Sequence, residues 1–384
     1  PLYSSAASDV YKRQGLDILK KGGNAIDAAI GANIALGLME PTGNGIGGDL
    51  FVIIWDEESK KLYGLNASGP SPKDITIDYF EENNLTKIPS YGPLPITVPG
   101  AVDGWIKMHE RFGSMNFEDL FIPTINYARN GFPITETIAH YLKGSSERFK
   151  SYPNFKDIWM PNNEILMKGD FFKNPHLANT LEIISKTKRK SFYEGEIAKV
   201  MASFVKEEGG FLSANDLSSF HAEWVEPVST NYRGYDVWEL PPNGQGIAAL
   251  QILNLLENYD LKKMGLFSSE YIHYFVEAKK LAFEDRAKYY ADPNFNQINT
   301  KYLISKEYAL ERMKLIDSSK SMKSVEAGIL KDGDTIYLTT ADKFGNMVSL
   351  IQSNYRGMGS GMVPPDLGFM LPVSYTHLTL PTNR

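Results

Sequence analysis

The most informative stretch of the sequence is Asp332-Gly333-Asp334-Thr335-Ile336-Tyr337-Leu338-Thr339-Thr340-Ala341-Asp342, near its end. Within it, Thr335 stands where a loop enters a predicted strand. A tight turn over residues 342–346 follows, and the alternation of residues 347–354 predicts a second, returning strand. Threonine is common in strands, so this pattern is informative only together with the rest of the chain.

A threonine hydroxyl is a weak nucleophile and needs a base beside it. If the chain were cut before Thr335, the freed α-amine would have a pKa of roughly 7.7–8 and could accept the hydroxyl proton itself. The chain has 6 histidines, and none lies between Thr335 and Asn354. The sequence therefore indicates no serine-histidine-aspartate triad at this place.

Composition limits the classes of function. The chain has 384 residues, enough for two ordinary domains or one large α/β domain. Its net charge of −6 favours neither nucleic acid nor an anionic membrane surface as a partner. Cysteine is absent, which excludes disulfides and thiolate chemistry. No apolar run reaches the roughly 18 residues of a membrane-spanning helix, and no His/Asp/Glu cluster has the spacing of metal ligands.

Both ends differ from the rest of the chain. Residues 1–14 lack periodicity and an initiator methionine, and residues 372–384 are out of register with what precedes them. We expect both segments to be translated adaptor sequence, which is set aside before the fold is considered. The natural piece would then be an internal fragment, residues 15–371, from which the cellular compartment cannot be read.

The remaining pattern predicts strands near both ends and helices between them. Residues 15–38 predict a helix pair or one long helix, interrupted at residues 22–24, where Asn24 can cap the second stretch. A glycine-rich loop over residues 41–49 leads to strands at 50–55 and 61–66. Further helices are predicted over residues 101–112, 117–130, 175–187, 195–206, 246–258 and 268–292, and one strand over 232–239. This order favours a layered α/β sandwich assembled from distant segments.

Five short motifs follow one another along residues 15–371. They are Gly22-Gly23-Asn24-Ala25-Ile26-Asp27-Ala28-Ala29, Gly45-Ile46-Gly47-Gly48-Asp49, Thr97-Val98-Pro99-Gly100, Pro241-Pro242-Asn243-Gly244-Gln245-Gly246, and Asp334-Thr335 with its strand pair. Each is weak alone. Together and in this order they resemble the gamma-glutamyltranspeptidase family (gamma-glutamyltransferases or glutathione hydrolases), in a divergent gamma-glutamyltransferase-like branch.

The resemblance implies a four-layer αββα sandwich of the N-terminal nucleophile hydrolase type, truncated here at its C-terminal side. It implies self-cleavage between Asp334 and Thr335, with Gly333 helping the loop to bend. Residues 15–334 would form a large subunit and residues 335–371 the start of a small one, paired as a heterodimer. Thr335 would be the catalytic nucleophile and Ser353 the second hydroxyl that orients it. The mechanism implies no cofactor and no metal.

The substrate-binding positions depart from the family pattern. Asn66 stands near the place of the arginine that holds the substrate's α-carboxylate, and an amide cannot fully replace a guanidinium there. Tyr355 stands where the family has an asparagine that reads the substrate's amino end. Arg356 could supply a substitute positive charge, but its sequence context favours a surface role. We therefore expect hydrolysis to be favoured over transfer.

Three functions remain open at this point. The first is a self-cleaving gamma-glutamyltransferase-like amidase that passes the acyl group of a small-molecule amide to water or an amine. The second is the same fold acting on a different acyl amide, and the third is an unprocessed, non-catalytic member. Because the family's oxyanion-hole glycines would lie beyond residue 371, we expect this fragment itself to be inactive.

Overall fold

The computed structural model describes residues 6–295, 297–322 and 335–373, with side chains from residue 12 onward. The chain divides into two compact units. The first comprises residues 1–61, 65–223 and 331–384, and the second comprises residues 62–64 and 224–330. None of the described helices is both long enough and apolar enough to cross a membrane.

The first unit contains the candidate site. Its helices are α1 (Ala6–Lys20), α2 (Ala25–Met39), α3 (Ile77–Glu82), α4 (Ala101–Phe112), α5 (Ile122–Asn130), α6 (Glu136–Phe149), α7 (Phe155–Trp159), α8 (Pro175–Thr187), α9 (Glu196–Glu207) and α10 (Ala214–Ser219). Short 3₁₀ helices cover Phe117–Leu120 and Pro161–Asn163, and a π-helical turn covers Lys190–Glu194. Its strands are β1 (Asp49–Asp56), β2 (Lys61–Ala67), β3 (Phe132–Pro133), β4 (Phe171–Phe172), β8 (Ile336–Ala341) and β9 (Met347–Ser353).

The main sheet of this unit contains strands from the early and from the late part of the chain. Its order is β2-β1-β9-β8. Strand β9 pairs antiparallel with β1, from Asp49 opposite Ser353 to Trp55 opposite Met347, and also with β8 on its other side. A strand from near the C-terminus is therefore central, between its own hairpin partner and a strand that lies about 300 positions earlier.

Helix α2 covers one face of this sheet. Every residue of α2 is buried, and the helix packs against β8 and β9 as well as against α1. A helix that is apolar all round needs such cover on all sides. The sheet presents alternate residues to it, so that Leu50, Val52 and Leu350 are nearly inaccessible.

The second unit is mostly helical. It contains β5 (Glu223–Val225), β6 (Val228–Tyr232), β7 (Tyr235–Glu239), α11 (Ile247–Leu256), α12 (Leu261–Met264), α13 (Ser269–Tyr289), α14 (Thr300–Leu303), α15 (Lys306–Arg312) and a 3₁₀ turn at Met313–Leu315. Strand β5 is the neighbour of β2, whose residues 62–64 belong to this unit.

A polar network ties the helices of the second unit together. The Asp285 carboxylate of α13 accepts hydrogen bonds from Gln251 Nε2 of α11 (2.8 Å) and from the Tyr308 hydroxyl of α15 (2.9 Å), and it pairs with Arg312 (3.2 Å). Burial nevertheless raises the pKa of Asp285 above its ordinary value. The Asp285 carboxylate thus has partners on two neighbouring helices, whereas Arg312 Nε is buried without a hydrogen-bond partner among the described residues. Such a network fits a role in holding the helices in register.

The predicted strand over residues 232–239 is confirmed only as β7, Tyr235–Glu239, and the strand β6 before it was not predicted. The structure has two strands there, β6 and β7, which pair with Tyr232 opposite Tyr235. Arg233 (φ 51°) and Gly234 (φ 92°) form the two-residue turn between them, and such a turn needs positive φ at both positions. Arginine is rare in that conformation, so the turn signal in the sequence is weak. The other predicted helices and strands are confirmed within a few residues, except that α1 begins at Ala6, nine residues before the predicted start.

Candidate active site

The two candidate hydroxyls lie together at the end of the β8–β9 hairpin. Ile336 pairs with Gln352, so Thr335 and Ser353 are the next positions of the same ladder. Thr335 Oγ1 donates a hydrogen bond to Ser353 Oγ at 3.2 Å. Thr335 is exposed, so a substrate can reach its hydroxyl. Sequence reasoning named both residues, and the structure brings them together.

The backbone that follows β9 turns back toward Ser353. The Tyr355 N–H donates a hydrogen bond to Ser353 Oγ at 2.7 Å. Tyr355 adopts a left-handed conformation (φ 67°), so the chain changes direction directly after this hydrogen bond. Tyr355 was expected to contact substrate. The contact seen here comes from its backbone and helps to hold the Ser353 hydroxyl in place.

An acidic residue that sequence reasoning did not single out lies beside the hydroxyl pair. Asp49 faces Ser353 in the β1–β9 ladder and is only 5% exposed. Its Oδ1 accepts a hydrogen bond from the Gly69 N–H at 3.1 Å. Asp49 therefore anchors the loop after β2 next to the candidate nucleophile, a role that its position after two glycines could have suggested.

The same loop carries Asn66. Asn66 Oδ1 accepts hydrogen bonds from Ser68 N (3.0 Å) and Ser68 Oγ (2.8 Å), which closes a tight turn. The side-chain oxygen thus has a structural task in this loop. The expected contact between Asn66 and a substrate stays a prediction.

The glycine motifs meet where the backbone segments come closest. A side chain at Gly48 would place its Cβ 2.5 Å from the Ser353 carbonyl oxygen, which no real Cβ tolerates. The Gly48 carbonyl accepts hydrogen bonds from the N–H groups of Gly100 (3.0 Å) and Ala101 (2.9 Å). The motif at 45–49 therefore packs against the strand that carries Ser353, and the motif at 97–100 packs against Gly48 in turn, as expected of glycines that allow close backbone approach.

Buried amides line the back of this arrangement. Gln352 Nε2 donates to the Gly45 carbonyl at 2.8 Å. Asn354 is fully buried beside Gly45 and Gly48, and among the described residues its side-chain amide has no hydrogen-bond partner. Its backbone carbonyl accepts a hydrogen bond from Val373 N at 3.3 Å. No sequence pattern predicted that Asn354 would be buried.

The first motif acts at the opposite end of the hairpin. Asn24 caps α2 by accepting hydrogen bonds from the backbone N–H groups of Ile26 and Asp27. The backbone N–H of Ala25, the first residue of α2, donates to Asp342 Oδ2 at 3.0 Å. Burial raises the pKa of Asp342, but hydrogen bonds from Asn346, Ala25 and the turn outweigh this and hold it below its ordinary value. This motif therefore fixes the hairpin to α2 and takes no part in the chemistry.

The fourth motif lies in the second unit. Residues 241–246 form the turn before α11, and a side chain at Gly246 would meet the Glu239 carboxylate. Burial raises the pKa of Glu239 above its ordinary value. We assign this motif a local packing role.

Arg356 lies against an aromatic ring. Its guanidinium carbon is 5.9 Å from the centre of the Tyr91 ring, and its Nε is buried without a hydrogen-bond partner among the described residues. The expected cleavage residue Asp334, with Asp332 and Gly333, lies outside the described residues. Within the described part of the chain, no three His, Cys, Asp or Glu side chains are grouped as metal ligands.

Comparison with known proteins places the chain among amide-cleaving enzymes. It is 35% identical to the glutathione hydrolase-like YwrD proenzyme of Bacillus subtilis, over 96% of this chain and 69% of that protein. A cephalosporin acylase structure from Bacillus halodurans matches with 39% identity and a TM-score of 0.91, over 98% of this chain and 69% of that one. The gamma-glutamyltranspeptidase structure from Helicobacter pylori matches with 32% identity and a TM-score of 0.79, over 85% and 94% of the two chains.

The chain spans about two thirds of the length of its curated relatives, between 63% and 69% for those from Bacillus subtilis and Escherichia coli. These likenesses confirm the predicted α/β fold of the N-terminal nucleophile hydrolase type and the predicted class of self-processing hydrolases and transferases. The model of the Gamma-glutamyltranspeptidase family matches residues 12–383. The chain belongs to the gamma-glutamyltranspeptidase family.

Proposed function

We propose that the protein is a proenzyme whose nucleophile is Thr335, released as a new N-terminus by self-cleavage after Asp334. The observation that carries the proposal is the hydrogen bond of 3.2 Å between Thr335 Oγ1 and Ser353 Oγ, at the exposed end of a hairpin whose other end is anchored on α2. Ser353 is in turn held by Tyr355 N. Hydrogen bonds from neighbouring groups keep the hydroxyl of a nucleophile in the position and orientation that attack requires.

The self-cleavage step follows from the same hydroxyl. Thr335 Oγ1 attacks the carbonyl carbon of Asp334, its proton passes to the departing nitrogen, and the C–N bond breaks. The product is an ester between Asp334 and the Thr335 oxygen, with a free amine on Thr335. Water then adds to the ester carbonyl and the C–O bond breaks, which leaves a carboxylic acid on Asp334 and restores the Thr335 hydroxyl. Ser353 orients the attacking oxygen throughout.

Turnover repeats this chemistry on a substrate. The freed α-amine of Thr335, with a pKa of roughly 7.7–8, takes the hydroxyl proton as Oγ1 attacks the substrate's amide carbonyl. The amine leaving group takes that proton, and the acyl group stays on Thr335 as an ester. Water or a second amine then receives the acyl group, so the protein acts as a hydrolase or an acyltransferase.

The substrate is a small acyl amide. The relatives include glutathione hydrolases and acylases, which supports either a gamma-glutamyl compound or another acyl amide for this chain. In the mature form, residues 15–334 would be the large subunit and residues from 335 the start of the small one. The β1–β9 ladder would join the two subunits.

N-terminal sequencing tests the proposal, on protein purified with a C-terminal part that extends the chain to the length of its curated relatives. We expect two bands on a denaturing gel, the smaller beginning at Thr335, and a single band for Thr335→Ala. Thr335→Ser, which keeps a hydroxyl, serves as the matched control and should still be cut. Circular dichroism would check that each variant is folded. A folded wild-type protein that stays uncut would favour the non-catalytic alternative and refute this proposal.

A further inference from the structure

Three polar residues lie in one row across the main sheet. Ser353 of β9 is opposite Asp49 of β1 on one side, and Thr335 continues the β8–β9 ladder on its other side. Residues that face each other in a ladder project to the same face of the sheet. Asp49, Ser353 and Thr335 therefore present their side chains to one face, and we call these three residues the polar row.

The spacing of the polar row allows direct contact between its members. Residues directly opposite each other in an antiparallel pair have Cβ atoms about 4.5–5.5 Å apart. On one side of the row, Thr335 Oγ1 and Ser353 Oγ are 3.2 Å apart. On the other side, a carboxylate and a hydroxyl at such a Cβ separation can be joined by one hydrogen bond. Asp49 is thus the direct neighbour of the hydroxyl that contacts Thr335.

The hydrogen bonds of Ser353 determine where its own proton can point. A serine hydroxyl has one donor and two acceptor positions. Both acceptor positions are used, because Ser353 Oγ accepts from Thr335 Oγ1 at 3.2 Å and from the Tyr355 N–H at 2.7 Å. The Ser353 proton is therefore directed at a third group, which has to be an acceptor. An ionised carboxylate accepts hydrogen bonds only, and Asp49 is the carboxylate opposite Ser353.

The surroundings of Asp49 are suited to this role. Asp49 is nearly inaccessible to solvent, and a buried carboxylate is stable only when donors surround it. The Gly69 N–H donates to Asp49 Oδ1 at 3.1 Å and holds the carboxylate at the start of β1. A carboxylate has about four acceptor positions, so this bond leaves capacity for a hydroxyl as well. Asp49 can therefore anchor the loop of Gly69 and accept from Ser353 at the same time.

We propose that Asp49 accepts a hydrogen bond from the Ser353 hydroxyl and is thereby a positioning residue for the nucleophile. This inference rests on the proposed function of Thr335. Because the Ser353 proton is directed at Asp49, Ser353 can only accept from Thr335. The Thr335 proton then points to Ser353, and a lone pair of Thr335 Oγ1 is free to attack a carbonyl carbon. With the opposite direction, Ser353 would donate to that lone pair and weaken the nucleophile.

The rate of self-cleavage of Asp49→Asn tests the inference, in protein extended to the length of the curated relatives. The asparagine keeps an oxygen for the Gly69 N–H, so its NH₂ group faces Ser353 and reverses the hydrogen bond. We expect cleavage to slow roughly tenfold, since a charge-assisted hydrogen bond is lost. If Asp49 acts through Ser353, adding Asp49→Asn to Ser353→Ala should slow cleavage by less than about threefold more. A purely structural role of Asp49 would slow cleavage equally in both backgrounds.

Asp216→Asn is the matched control. Asp216 is also a nearly inaccessible carboxylate of the first unit, and it accepts hydrogen bonds from the N–H groups of Ser213 (3.0 Å) and Lys73 (3.1 Å). Its substitution should leave the rate of self-cleavage unchanged. Equal slowing in the control, no slowing by Asp49→Asn, or a further slowing in the Ser353→Ala background as large as in the wild-type background would each overturn the inference.

A crystal structure of the extended Thr335→Ala protein supplies a measurement that does not depend on cleavage or on the folding of an Asp49 variant. We expect an Asp49 carboxylate oxygen within about 3 Å of Ser353 Oγ, the usual length of a hydroxyl–carboxylate hydrogen bond. A Ser353 hydroxyl that donates to another group would overturn the inference. If wild-type protein stays uncut, the proposed function of Thr335 fails and the inference fails with it. If wild-type protein and Asp49→Asn are cut equally fast, only the inference fails.

Discussion

Replacing Ser353 with alanine tests the geometry of the hydroxyl pair most directly. The change removes the acceptor of two hydrogen bonds, one from Thr335 Oγ1 (3.2 Å) and one from Tyr355 N (2.7 Å). The exposed Thr335 hydroxyl can bond to water instead, so the loss of its hydrogen bond to Ser353 costs little free energy. The Tyr355 N–H, in contrast, is left without its acceptor. Together the two losses amount to about 1.5–2 kcal/mol. We assign this loss to the transition state, because Ser353 must hold the attacking oxygen there while the resting Thr335 hydroxyl can bond to water. Since about 1.4 kcal/mol corresponds to a factor of ten in rate, self-cleavage should slow roughly 10- to 30-fold.

The rate can be followed by cell-free translation, with samples stopped over time and run on a denaturing gel. Ser353→Thr keeps the hydroxyl and should cleave within about threefold of the wild-type rate. Ser349→Ala is the matched control: Ser349 lies on the same strand, and its hydroxyl bonds to the Tyr337 hydroxyl at 3.1 Å. If Ser353→Ala were cut as fast as Ser349→Ala, Ser353 would have no part in orienting Thr335, and the reasoning would fail.

Three further predictions concern stability, measured by denaturant unfolding of the single-chain Thr335→Ala protein. Gly48→Ala should lower the free energy of unfolding by about 1–3 kcal/mol, because its Cβ would stand 2.5 Å from the Ser353 carbonyl oxygen; no change would mean that the loop can move aside. Tyr193→Phe should cost about 1–3 kcal/mol, since the buried hydroxyl donates to the Pro99 carbonyl at 2.8 Å; a neutral result would show that Pro99 finds another donor. Asp342→Asn should destabilise at pH 7 and much less at pH 3. The folded-state pKa of Asp342 is lowered, so its contribution is present above the unfolded-state pKa of roughly 3.9 and is lost as the pH falls through the folded-state value. An equal effect at both pH values would contradict this.

The parts of the site that the sequence predicted depend on short-range patterns. Thr335 and Ser353 are joined by one hairpin, so strand alternation and turn residues were enough to place them in the same ladder. The helix cap at Asn24 is also local, since it depends on the conformation of one or two residues.

The parts that could not be predicted depend on contacts between distant segments. Tyr91 and Arg356 are 265 positions apart, and no periodicity or turn signal relates them. Tyr355 shows a second limit of prediction from sequence. Its side-chain type suggested a contact with a ligand, whereas the interaction seen here is a hydrogen bond from its backbone N–H to Ser353 Oγ. Sequence reasoning assigns roles to side chains more readily than to main-chain groups.

The central position of β9 has a consequence for how the mature protein would lose its structure. Its ladder with β1 runs over seven residue pairs, from Asp49–Ser353 to Trp55–Met347, and would hold two separate polypeptides once the bond before Thr335 is cut. Unfolding would then be a dissociation, and its midpoint would rise with protein concentration, as for any heterodimer. Refolding would require two chains to meet, so the uncut precursor would be the only form that folds as a single unit. Refolding of the cut protein would slow on dilution, so at low protein concentration the lifetime of the mature enzyme would be set by its rate of unfolding.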